Sequence, residues 1–398
     1  MMRTWWIIMA MVLALTARRL VDIPLPTVAA TDAPQHVILF VGDGMGSEQV
    51  RAARYFVGAP LPFERLPYTS TLTTDSVDGV TDSAASATAM ATARKVFNGV
   101  VSVALPGDGQ ALRTALEHCQ GNGQATGLVT TSYMTDATPA AFAAHEPSRG
   151  NRTGIALDYL SQTRPNVLLG GGGNGLATTQ AAGAGYTVVT DTASLQAVAP
   201  GTSHVAGLFG TGELPSIYDG RGQLPTLAQM TASALTLLQD DPDGFFLLVE
   251  QEHVDSFGHQ NDITRTVYAM VELADAVDVA LNWAAGHDDT LLLVTSDHET
   301  GGLDVLADNG PGNLPLVAWS TRRHTNRRVP LFGVGSVAGL VQAVDDNTDL
   351  TGLLTTCDGV PTALTAHLDP VTTASGAAGV WPVLLVGLAL FTLWRYRR

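Results

Sequence analysis

Six short apolar runs punctuate this chain: Val37–Val41, Thr126–Thr130, Asn166–Leu169, Phe245–Val249, Thr290–Thr295 and Val329–Val334. They are apolar at successive positions rather than at every second one, the pattern of strands covered on both faces. Between them, Pro225–Gln239 and Asp262–Trp283 read as helices. The alternation predicts an α/β fold with a large, mostly parallel central sheet covered by helices. Polar and apolar positions are weakly ordered from about Val188 to Arg221, which is expected to be an excursion over the active face. No internal repeat or low-complexity linker divides the body, so one large domain is expected.

Composition sharpens this picture. The 398 residues are 45% hydrophobic and include 41 glycines, suiting a buried sheet with many tight loops rather than disorder. Thirty-seven acids against 21 basic residues give a net charge of −16, which excludes a specific nucleic-acid surface. Some of those acids are candidates for neutralisation by bound cations. Cys119 and Cys357 fit no metal-ligand spacing, and their pairing is left open by sequence.

Both ends look like targeting segments. Arg3 precedes the apolar run Trp5–Leu15, and Val28-Ala29-Ala30 offers a cleavage site, although Arg18-Arg19 make the following region long and charged. Residues 1–30 therefore read as a signal peptide or an N-terminal anchor. Residues 31–368 form the catalytic body and 369–378 a linker. Residues 379–398 form an apolar segment closed by Arg395-Tyr-Arg-Arg398, either a membrane anchor or a sorting signal. The body is expected to be exported: periplasmic, at the cell surface or secreted, with membrane attachment through the termini.

The chemistry gathers where the apolar runs end. In open α/β sheets ligands collect at the carboxyl ends of strands. The first run ends at Asp43; Phe245–Val249 leads into Glu250, then Asp255 and His259 four residues apart. Thr290–Thr295 is followed by Asp297-His298, His324 precedes Val329–Val334, and Asp136 and Thr138 follow Thr126–Thr130. Each residue alone has an ordinary explanation as a turn former, a strand end or a surface pair. Convergence at five strand ends defeats those explanations. Histidine with carboxylate suits Zn²⁺ with an open position, whereas Thr138, Asp43 and Glu250 suit a hard Mg²⁺.

Thr81-Asp82-Ser83-Ala-Ala-Ser-Ala-Thr88 has two readings. Asp82 or Ser83 caps a tightly packed helix, or Ser83 is a nucleophile with room for an anion at a helix N-terminus. No triad histidine is evident near Ser83 in sequence, so a metal would have to activate it.

Together, Val41-Gly-Asp-Gly-Met-Gly46, Thr81–Thr88, Asp136-Ala-Thr-Pro139 with His145-Glu-Pro-Ser-Arg149, Val249-Glu250 with Asp255 and His259, Thr295-Ser-Asp-His-Glu-Thr-Gly-Gly302 and Arg323-His-Thr325 resemble the alkaline phosphatases, from about Gln35 to Ser336. The resemblance implies a three-layer sandwich and hydrolysis of phosphate monoesters through a covalent phosphoserine, with two zinc ions and one magnesium ion. It assigns Ser83 as nucleophile, Asp255, His259 and His324 to one zinc, and Asp43, Asp297 and His298 to the other. Asp43, Thr138 and Glu250 would hold magnesium, with Asp136 at its water shell. Arg149 would grip two phosphate oxygens, oriented by Asp82. A homodimer acting on small phosphate monoesters and releasing inorganic phosphate is the implied working form. Ser256 lacks the charge that some relatives carry at that position.

Gly170-Gly-Gly-Gly173 lacks the lysine and hydroxyl of a phosphate loop and reads as a turn. His253 is a rival to His259 that breaks the spacing with Asp255. A phosphodiesterase or sulfatase on the same scaffold is the nearest alternative, and Arg149 favours the monoester. A phosphate-binding surface protein without catalysis should lack a ligand, and here the whole set is present.

Overall fold

The computed structural model describes residues 33–359; the segments read as targeting or anchoring lie outside them. Among the described residues no helix is long and apolar enough to cross a membrane.

A nine-stranded sheet forms the centre, built from β1 (His36–Gly42), β2 (Tyr68–Leu72), β3 (Ala125–Tyr133), β4 (Val167–Gly171), β5 (Thr187–Val189), β6 (Val205–Phe209), β7 (Phe245–Gln251), β8 (Thr290–Thr295) and β9 (Val329–Gly335), in the order β2-β9-β8-β1-β7-β3-β4-β6-β5. The sheet has two faces because strand side chains alternate. Along β1, Val37, Leu39 and Val41 join one core while Ile38 and Phe40 join the other. Helices Ser83–Thr92, Ala115–Gly121, Ala137–Ala143 and Arg152–Ser161 contribute to the first core. Helices Ser47–Val57, Leu227–Leu238 and Ile263–Ala284 contribute to the second. Three layers result, as expected.

Three expectations are corrected. Val329–Val334 is not a parallel strand: β9 runs antiparallel to both β8 and β2. A run apolar on both faces reports burial but carries no information about direction. The reversal has a use, since it brings the start of β9, and His324 just before it, to the carboxyl edge of β8. Nor is Val188–Arg221 chiefly an excursion. It supplies β5, the short helix Thr192–Gln196 and β6, with β6 hydrogen-bonded between β4 and β5. Only the loop beyond Phe209 returns to the active edge, where Leu214 N donates to Thr131 O at 2.8 Å. The glycine run is likewise half strand. Gly170 and Gly171 end β4, and a Cβ on Gly171 would sit 1.8 Å from Gly212 O.

Cys119 Sγ and Cys357 Sγ lie 2.6 Å apart, 238 positions distant in sequence. Under oxidising conditions the two are expected to form a disulfide that ties Thr356–Asp358 to the helix Ala115–Gly121. A loop of that length is worth as much as about 5 kcal/mol in the chain-entropy description. Peptide mapping without reductant should recover a Cys119–Cys357 cross-link, and reduction should lower the melting temperature. Alkylation of both thiols in the native, air-oxidised protein would refute the pairing.

Candidate active site

Register fixes the carboxylates. Val41 pairs with Glu250 and with Thr295, and Thr130 also pairs with Glu250, so these strands end side by side. Asp43 and Asp297 then follow, each two residues past its aligned position. Gly44 permits the sharp exit from β1. Its φ is +78°, and a Cβ there would meet Asp255 Cα at 2.7 Å.

Two clusters emerge, each with ligand atoms within 4.8 Å of one another. The first is Asp43, Asp297 and His298. Asp297 Oδ1 accepts from Gly44 N (3.2 Å) and His298 N (2.9 Å), which leaves Oδ2 buried without a hydrogen bond. Asp43 Oδ1 is orphaned in the same way. Buried polar atoms are normally paired, so two bare carboxylate oxygens in one cage suit a cation.

The second cluster is Asp255, His259 and His324. His259 Nε2 lies 3.2 Å from Asp255 Oδ2, His324 Nε2 3.4 Å from Oδ1, and the two Nε2 atoms are 3.1 Å apart. Each ring is held from behind. His259 Nδ1 meets Arg322 O at 2.7 Å, and His324 Nδ1 meets Thr81 O at 2.8 Å. A carbonyl can only accept, so each Nδ1 carries a proton, and each Nε2 faces inward to donate to Asp255 or, with a cation bound, to offer a lone pair. Thr300 Oγ1 donates to Asp255 Oδ1 and lies 3.2 Å from His298 Nδ1, joining the clusters from below. The Glu-Thr-Gly-Gly stretch after His298 flagged Thr300 in sequence without a role.

Ser83 sits beside the first cluster. The capping reading of its segment holds: Asp82 is the N-cap, with Oδ1 accepting from Ala85 N at 3.0 Å, and Ser83 opens the helix Ser83–Thr92. The small side chains let that helix pack with Ser83 to Ala91 all buried. Ser83 Oγ lies 3.4 Å from Asp43 Oδ2 and 3.3 Å from His298 Nε2. The fold thus brings to Ser83 a histidine that is 215 positions away in sequence. Ser86 Oγ donates to Asp297 O at 2.6 Å and ties helix to cage.

Arg149 is stretched between two carboxylates, donating through Nη1 to Asp82 Oδ2 (3.2 Å) and through Nη2 to Asp136 Oδ1 (3.0 Å). Burial opposes its charge, but Asp136 and Asp82 overcome it and hold the guanidinium protonated at any working pH. Asp136 also accepts from Ala137 N (2.8 Å), Tyr133 OH (3.1 Å) and Ser132 Oγ (2.6 Å). It stands with Arg149 rather than in either cluster. Thr138 Oγ1 is buried without a hydrogen bond, and Glu250 Oε2 accepts from Thr130 Oγ1 at 2.5 Å.

The electrostatics follow from crowding. Burial, then Asp136, pushes the Glu250 carboxyl up to about 8. Burial, then Asp255, pushes Asp297 up to about 6, and burial with Asp297 holds Asp43 well above the ordinary range. Asp255 is the exception. Burial raises it too, yet the hydrogen bonds from His259 and His324 hold it well below. Burial and the neighbouring His324 keep His298 neutral.

A sequence profile described as alkaline phosphatase matches residues 34–316. Alkaline phosphatase 3 of Bacillus subtilis is 37% identical over 70% of this chain, which spans 63% of that relative's length. Alkaline phosphatase of Escherichia coli is 31% identical over 80% of this chain and 85% of its own. Streptomycin-6-phosphate phosphatase of Streptomyces griseus is 33% identical over 81% and 90%. Among solved structures, alkaline phosphatase from the Antarctic bacterium TAB5 superposes with a TM-score of 0.75 at 27% identity, covering 83% of this chain and 99% of that one. The cold-active enzyme of a Shewanella species gives 0.74 at 29%, over 82% and 100%. With the profile spanning most of its length, this chain belongs to the alkaline phosphatase family of phosphoric monoester hydrolases.

Proposed function

We propose that this protein hydrolyses phosphate monoesters through a covalent phosphoserine on Ser83. The observation that carries the reading is the position of Ser83 Oγ, at a helix N-terminus and within 3.4 Å of both Asp43 and His298. Asp43, Asp297 and His298 would hold one zinc ion, and Asp255, His259 and His324 the other. Asp43, Thr138 and Glu250 would hold magnesium, with Asp136 in its outer sphere. The orphaned oxygens of Asp43, Asp297 and Thr138 fit that assignment. A variant of the TAB5 enzyme was solved with Mg bound in its M3 site. Bound there, the cations supply Lewis-acid charge that acidifies a hydroxyl or water and offsets charge on the transferring phosphoryl group.

The chain's own residues do the rest. The first turn of the Ser83 helix aims backbone N–H groups and the positive end of its dipole at an anion. Arg149 presents a charged fork, held by Asp82 and Asp136, that suits two phosphoryl oxygens. Ser83 Oγ forms a bond to phosphorus as the ester oxygen leaves. Water then cleaves the phosphoserine bond, releasing phosphate and restoring the hydroxyl. Two in-line displacements retain configuration at phosphorus.

The test compares p-nitrophenyl phosphate with bis-p-nitrophenyl phosphate, and repeats it with Arg149→Ala. The monoester should dominate in the native enzyme, and the variant should lose sensitivity to inorganic phosphate by roughly tenfold or more, given the energy of charge-assisted pairs. Preference for the diester would replace this reading with that of a phosphodiesterase. Unchanged phosphate inhibition would remove Arg149 from the clamp.

A further inference from the structure

A third group of ligand-type side chains lies outside the cages already described. Glu213, Glu252 and His253 bring one ligand atom each within 4.8 Å of one another. Three backbone segments meet there. Glu252 and His253 pass from β7 into the helix His253–Gln260, which goes on to present Asp255 and His259. Glu213 comes from the loop after β6, pinned to the sheet edge by its neighbour Leu214 through Thr131 O.

Glu252 is the telling residue. It is only 8% exposed, and its Oε1 is satisfied by Ser256 Oγ at 2.5 Å. Oε2 is buried with no hydrogen bond; His253 Nε2, at 3.9 Å, is too far to supply one. His253 is 3% exposed and its Nδ1 is also unsatisfied. A buried carboxylate oxygen facing a second carboxylate is costly unless a proton or a cation lies between them. Arg221, whose charge reaches His253, is committed elsewhere, to Glu272 Oε2 at 2.8 Å and the carbonyls of Pro215 and Pro225.

We propose that Glu213, Glu252 and His253 form an additional site for a divalent transition-metal ion, Zn²⁺ or Mn²⁺, separate from the cages around Ser83. Two carboxylates with one imidazole favour such an ion over Ca²⁺ or Mg²⁺, which prefer all-oxygen surroundings. Glu213 is exposed, so the remaining coordination positions open to water and the ion exchanges from solvent. The bound ion clamps the loop 210–226 onto the helix that carries Asp255 and His259. The signal in sequence was the second acid in Val249-Glu-Gln-Glu-His253, directly after the strand.

The test is elemental analysis of full-length protein saturated with Zn²⁺ and Mg²⁺ and desalted, beside Glu213→Gln and Glu252→Gln treated identically. Glu213 is a surface side chain, so its variant should fold even if the buried substitution does not. Native protein should retain one more zinc per chain than Glu213→Gln, and added Mn²⁺ should raise the melting temperature of the native protein alone. Equal zinc content in native protein and Glu213→Gln would overturn the site. The difference between proteins reports this site, whereas the total reports the cages around Ser83, so either assignment can fail without the other.

Discussion

Replacing Ser83 with alanine is expected to cut p-nitrophenyl phosphate turnover by at least about a thousandfold, while zinc and magnesium contents stay at native values. The magnitude is that of deleting a nucleophile from a preassembled site, where the remaining groups still bind but have no atom to attack with. The fold should survive. Ser83 is the first residue of its helix, and the cap is supplied by the Asp82 side chain through Ala85 N, the same oxygen also accepting from Gly99 N of a neighbouring loop. Alanine is a good helix former at that place. The cage has supports that do not pass through the Ser83 hydroxyl: His298 meets Thr300, and Asp297 is held by the backbone of Gly44 and of His298. A variant that also lost its metals would show that Ser83 builds the cage instead of attacking from it. A variant with native turnover would end the phosphoserine mechanism.

Why so much of the site could be read from sequence follows from how parallel strands are made. Phe245–Val249 and Thr290–Thr295 must be apolar on both faces, so the first charged residues after them stand out, and those residues are Glu250 and Asp297-His298. The same rule failed at the margins. Tyr68–Leu72 alternates between half-buried and exposed positions at the sheet edge, so it looks like a loop with scattered polar residues. Two of three residues in Thr187–Val189 are not buried, and Val205-Ala-Gly-Leu-Phe209 is diluted by small residues, Gly207 leaving no room for a Cβ beside Phe209 and Leu169.

Partners were harder to see than participants. Asp136 was legible as an acid near a strand end, but its saturation by Arg149, Tyr133, Ser132 and a backbone N–H was not. That outcome needs the loop after Ala143 to fold back, an arrangement held by Arg149 N donating to Gly99 O at 2.7 Å. Asp82 shows the same limit in a favourable form. Its role as helix cap was readable, while its second oxygen, turned toward Arg149, is a product of tertiary structure. In both cases one carboxylate serves the backbone and the guanidinium together, so the clamp is rigid without any residue devoted to it alone.

Stripping the metals is expected to abolish activity and to make stability depend on pH with a definite sign. Glu250, Asp297 and Asp43 are buried together, and their carboxyls are pushed up, Glu250 to about 8 and Asp297 to about 6. In the unfolded chain they would titrate near 4. Between those limits the metal-free folded state binds more protons than the unfolded state, so its unfolding free energy falls as pH rises. His259 acts in the same direction on the alkaline side. The Asp255 carboxylate raises it to about 9, and the stability gained from its charged form is lost as pH climbs through that value. Asp255 itself, held low, works only at the acid end. With cations in place of protons the three carboxylates are neutralised without titrating, and the loaded enzyme should be insensitive over the same window. For Glu250 alone the shift corresponds to a few kcal/mol, on the order of 5–10 °C for a domain of this size. Melting curves at pH 6, 7, 8 and 9, with and without chelator, measure it directly. The gap between loaded and stripped protein should widen with pH, and zinc plus magnesium should restore both activity and melting temperature. A stripped protein that melts higher at pH 9 than at pH 6 would mean that these carboxylates are not buried together around shared cations, and the proposed cage would fail with them.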